Sequence, residues 1–75
     1  MNFYNSGYGY ERSNEGYVIS HGQVPSKTGH HYVDVWSAWD DLPPNGRKIK
    51  NGSEDYFYTR QSAVHACSEH ARKAA

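Results

Sequence analysis

The sequence predicts an α+β domain: a small antiparallel sheet of three to four strands, built as two hairpins, with one C-terminal helix packed on one face. Three observations carry this reading. Residues 31–39, His-Tyr-Val-Asp-Val-Trp-Ser-Ala-Trp, alternate in the two-residue rhythm of a strand. An Asn51-Gly52 pair divides two strand-like segments, a strong short-range hairpin signal. Alanine then recurs at helical spacing between Arg60 and Ala74.

Taken in order, residues 1–16 are Asn, Ser, Gly and Tyr around one Glu-Arg pair, with no aliphatic residue but Met1. They read as a flexible or irregular arm, and residues 17–75 as a single domain. Tyr17-Val-Ile-Ser-His21 is rich in strand formers and leads through the turn signal Val24–Gly29 into the alternating segment, giving the first hairpin. On its second strand Val33, Val35, Ser37 and Trp39 share one side, and Tyr32, Asp34, Trp36 and Ala38 the other. Asp40–Gly46 contains two prolines, which cannot donate to a ladder, and reads as a loop. The second hairpin joins Arg47–Lys50 to Ser53–Thr59, in a register that sets Lys48 opposite Asp55. Thr59 is placed to cap the helix. Around that helix Ala63, Val64, Cys67, Ala71 and Ala74 form one stripe, small enough for close approach to a sheet, while Glu69 reaches Arg72 or Lys73.

Composition bounds the function. The chain has 75 residues and equal numbers of basic and acidic side chains, 8 and 8, so its formal charge is zero. That argues against a dedicated polyanion binder, whose affinity rests on neutralising phosphates. Only ten residues are Leu, Ile, Val or Phe, and the apolar area comes instead from seven Tyr and two Trp. A domain this short buries about 60% of its unfolded surface and leaves little room for a deep catalytic pocket. No basic region followed by an apolar run marks a signal peptide, and no run suits a membrane helix. A single Cys67 fits a reducing cytoplasm.

The closing stretch from Tyr56 through Thr59 to Ala74 combines an aromatic strand, a Thr cap and an alanine-periodic helix. It resembles the ending of small β-β-β-α orphan proteins carried by phages, prophages and plasmids. The likeness is structural and transfers no catalytic residue. It implies a mobile-element origin and a role in binding and inhibiting host machinery, as anti-CRISPR inhibitors of bacterial defence complexes do, in the cytoplasm of a bacterial host.

With the helix expected over Val33, Val35 and Phe57, the opposite face would present Tyr32, Trp36, Tyr56 and Tyr58, with Lys48 and Lys50 at its rim. These six are the candidate partner-binding residues, because exposed aromatic patches mark contact surfaces and Tyr and Trp dominate their energetics. The same rings could instead be covered by the tyrosine-rich arm or by a second copy of the chain. They could also stack single-stranded bases beside Arg47, Lys48 and Lys50, although Asp34, Asp40, Asp41, Glu54 and Asp55 would repel phosphate. A virion or other structural subunit is a further alternative.

The chemical constellations are sparse. Cys67 and His70 lie three apart and could join His30-His31 around a metal. Cys67 also falls on the apolar stripe, where a thiol packs as a small hydrophobe, so no metal and no cofactor is expected. His65 with Glu69, and Asp40-Asp41, read as solvated surface groups. The sequence carries no enzyme signature.

Overall fold

The computed structural model describes residues 1–74. It is an α+β fold: a four-stranded antiparallel sheet in the order β1-β2-β3-β4, followed by one C-terminal helix. The strands are β1 (Phe3–Gly7), β2 (Tyr10–Ser13), β3 (Val18–Pro25) and β4 (Tyr32–Trp39), and the helix α1 is Arg60–Ala74. No helix among the described residues is long and apolar enough to cross a membrane.

The strands are not all those expected. Residues 1–16, read as an irregular arm, contribute β1 and β2. Their hairpin closes on a two-residue loop, Tyr8-Gly9, between the paired Gly7 and Tyr10. Both loop residues have positive φ, 56° and 80°, the type I′ geometry that matches the twist of flanking strands. The side chains meet partners as well: Met1 and Phe3 pack against the core. The β2–β3 turn at Asn14-Glu15-Gly16 ends on Gly16 at φ 97°, and the buried Ser13 hydroxyl accepts the Tyr17 N–H at 3.2 Å.

The β3–β4 hairpin is present as expected but longer: its unbroken register runs from Val18↔Trp39 to Pro25↔Tyr32, so Val24 and Pro25, read as the start of the turn, belong to the strand. Because β2 pairs only with Val18–Ser20, its distal half has no third strand and projects, in a molecule 41 × 27 × 22 Å in extent.

The second expected hairpin is shortened and shifted. Residues 47–58 form isolated bridges, Trp39↔Lys48, Asn51↔Glu54 and Trp36↔Phe57, along the β4 edge. The tight turn is Gly52-Ser53 rather than Asn51-Gly52, with mutual hydrogen bonds between Asn51 and Glu54 of 2.9 and 3.0 Å. Gly52 at φ 64° takes the first loop position, where a type II′ turn wants glycine. The one-residue shift sets Lys50, and not Lys48, beside Asp55 at 3.8 Å.

The helix begins and ends where its sequence signals lie. Thr59 Oγ1 accepts the Ser62 N–H at 3.0 Å, the expected cap, and Arg72 and Lys73 occupy the last turn. Ala63 and Cys67 are buried, with Val64, Ala66 and Ala71 partly so. The helix lies mainly over β4, on the face that carries Ile19 and Ala38, which pair across β3 and β4. Trp36, Phe57 and Tyr17 fill the space around this narrow contact. Helix and sheet are stitched at both ends: Arg60 grips Glu11 of β2 through its guanidinium at 2.8 Å, and the Tyr17 hydroxyl meets His70 Nδ1 at 2.7 Å.

Candidate binding surface

The pleat decides which rings lie together. Ile19 and Ala38 point to the helix, so Val18 and Trp39, their chain neighbours and a register pair, point away. Trp39 therefore stands on the face opposite the helix, together with Tyr10, whose ring meets it edge-on at a centroid distance of 6.0 Å. The bridge between Trp39 and Lys48 brings that lysine onto the same face. Its Nζ lies 4.3 Å from the Tyr56 ring centroid and 5.9 Å from that of Trp39. Tyr10, Trp39, Lys48 and Tyr56 thus form one continuous row across the sheet, each half-buried. Arg12 and Trp39 flank the fully buried Val18 in register, and Tyr4, 51% exposed, stands beside Arg12 on β1.

Of the six expected residues, only Lys48 and Tyr56 are brought together in this row. Trp36 is on the helix side, packed against the core, with His21 tilted over its ring at 4.9 Å. The expectation that the helix covers Val33 and Val35 is thereby reversed. A stripe of Ala63 and Cys67 leaves room that the large rings of Trp36 and Phe57 fill, and Val33 and Val35 fall to the other face. Tyr32 shares the pleat of Trp36 but lies at the projecting end of β4, 68% exposed. The Tyr58 hydroxyl donates to Glu54, and that contact raises its pKa above the usual phenol value. Tyr58 and Lys50 line a separate groove of about 600 Å³ between the Gly52 turn and the first turns of the helix.

The acidic groups that weighed against nucleic acid are mostly turned away or occupied. Glu54 accepts from the Tyr58 hydroxyl and Asp55 lies 3.8 Å from Lys50 Nζ, and a further carboxylate, Glu11, is held by Arg60 on the helix side. Asp34 lies 3.3 Å from His21 Nε2 and accepts from Gln23 at 3.0 Å. Asp40 accepts the Arg47 N–H at 2.7 Å.

The metal candidates separate. Cys67 is buried, and desolvation pushes its thiol up to about 12, while His70 bonds Tyr17. Among the described residues no three His, Cys, Asp or Glu side chains are grouped to hold a metal ion.

Sequence reasoning missed Tyr10 and Trp39. The alternation places Trp39 on the side of Val33 and Val35, so the missing piece was the side the helix takes. Tyr10 was hidden because its strand lacks aliphatic residues. In comparisons with known proteins, no family model, no curated protein and no solved structure matches the chain.

Proposed function

We propose that the protein is a non-enzymatic binding module that docks, through the sheet face opposite the helix, on a protein assembly of a bacterial host and inhibits it. An inhibitor of a defence complex, of the anti-CRISPR kind, is the concrete form of this reading. The observation that supports it is the row Tyr10–Trp39–Lys48–Tyr56 on the face the helix leaves uncovered. Such half-buried, amphipathic rings with a central cation have the composition of interface hot spots. The test is capture by the tagged protein from bacterial lysate, split into nuclease-treated and untreated halves. A defined protein partner that survives nuclease and is lost with Trp39→Ala is expected; recovery of the bait alone contradicts the reading. Signal that vanishes with nuclease promotes nucleic-acid binding or places the target inside a host nucleoprotein complex.

A second reading, single-stranded nucleic-acid binding, is favoured by one observation. Arg12 and Lys48 pair with no carboxylate among the described residues, whereas Glu11 and Asp34 engage partners on the helix side. Aromatic rings beside free cations suit base stacking and backbone contact. Affinity that falls steeply between roughly 50 and 200 mM salt marks phosphate contacts; a protein interface responds far less.

A further inference from the structure

Three features meet at the β1–β2 turn. Tyr8 is the one non-glycine residue with positive φ among the described residues, and its side chain is fully exposed, at 101% of its reference area. Gly makes the same turn without the Cβ conflict, and Asn tolerates it through local hydrogen bonds of its short side chain, so folding does not ask for tyrosine there. Strained residues of this kind concentrate where function holds them. Beside the turn a groove of about 340 Å³ runs toward the 40–46 loop, walled by Tyr8, Tyr10, Leu42 and Pro43 and reaching Arg12. Arg12 is half-buried. It makes no ion pair among the described residues, whereas Arg60 and Arg72 each engage a carboxylate.

We propose that this groove is the docking subsite for an acidic segment of the partner protein. A carboxylate pairs with Arg12, and a neighbouring apolar or aromatic side chain lies among Tyr8, Tyr10, Leu42 and Pro43. The inference rests on the reading of the sheet face as a contact surface, with which the groove is continuous through Tyr10. Charge complementarity selects the occupant. No acidic residue lines the groove, and the nearby Asp41 carboxylate already accepts the Leu42 N–H at 2.7 Å. A guanidinium fork in a partly dry setting matches a carboxylate with two parallel hydrogen bonds.

The test is a titration of isotope-labelled protein, followed by NMR, with three probes. They are acetyl-Trp-Glu-Leu-Asp-amide, its uncharged counterpart acetyl-Trp-Gln-Leu-Asn-amide, and a short oligothymidylate. The acidic peptide is expected to shift Tyr8, Tyr10, Arg12 and Leu42 and to bind about tenfold tighter than the uncharged one. Arg12→Gln removes that preference without changing the far-UV circular dichroism, and Tyr8→Asn weakens both peptides. Equal affinity for the two peptides, absence of shifts at the groove, or a preference that survives Arg12→Gln overturns the proposal. Displacement of the peptide by oligothymidylate, with a steep salt dependence, also overturns it and assigns the groove to nucleic acid. Shifts at Trp39, Lys48 and Tyr56 without any at the groove defeat the subsite alone and leave the sheet-face reading standing.

Discussion

Trp36 and Trp39 stand three residues apart on β4 and serve opposite faces of the sheet. Trp36 packs against the core beneath the helix, beside Phe57, whose backbone it meets in hydrogen bonds of 2.7 and 2.8 Å. Trp39 lies on the other face, between Tyr10 and Lys48, and belongs to a row of half-buried rings with polar ends. The helix-side rings are used to bury area against alanine and cysteine. The open-side rings share their face with two buried valines, Val18 and Val35, and still reach solvent. The same residue type thus packs beneath the helix on one face and stands half-exposed on the other, and the difference is set by which face the helix takes.

The comparison is sharpest at Phe57, only 4% exposed. Phe57→Ala is expected to cost about 3–5 kcal/mol, as much as the whole stability of a domain this small. Thermal melts followed by circular dichroism should find it largely unfolded. A similar loss from Tyr56→Ala, its neighbour on the open side, would break the distinction between the faces.

Much of this arrangement was legible in the sequence. The β3–β4 hairpin, though not its extension through Val24 and Pro25, the Thr59 cap and the span of the helix follow from alternation, capping chemistry and alanine spacing. The β1–β2 hairpin was not legible, because Tyr, Ser, Gly and Asn give no aliphatic alternation, and its order comes from pairing with β3 and from Met1 and Phe3 meeting the core. The register at Asn51 was misread for a different reason. Asn-Gly and Gly-Ser both fit a two-residue loop there, and Asn51 stays paired with Glu54 in the bridge next to the turn. The face taken by the helix is a tertiary decision between two apolar sides of one strand, and alternation alone cannot make it.

Cys67 tests the helix side next. Its thiol is raised from the usual 9 to about 12 by burial, so the unfolded chain ionises first as pH rises. The stability tied to the neutral thiol is complete below pH 9 and is lost between pH 9 and about 12. Urea titrations should show the wild type losing stability more steeply over that window than Cys67→Ala. The native thiol should also resist alkylating reagents until the chain unfolds.

Removing the cap with Thr59→Ala should cost about 1 kcal/mol, read as a lower urea midpoint with an unchanged slope. The open side predicts smaller effects, one of them of opposite sign. Tyr8→Asn relieves a left-handed tyrosine and should stabilise by a few tenths to about 1 kcal/mol while weakening partner binding. A loss of stability would mean that the Tyr8 ring packs. Lys48→Ala removes the cation from two rings and should cost about 0.5–1 kcal/mol, measured by the same denaturant titrations.

The most direct test of the two-face account sets Trp36→Ala beside Trp39→Ala, each assayed for thermal stability and for capture of the nuclease-resistant partner. Trp36→Ala is expected to lower the melting temperature strongly, with capture lost only in proportion to unfolding. Trp39→Ala is expected to stay folded and to lose capture. A folded Trp36→Ala that no longer binds, together with a Trp39→Ala that binds normally, would contradict the account and return the contact surface to the helix side.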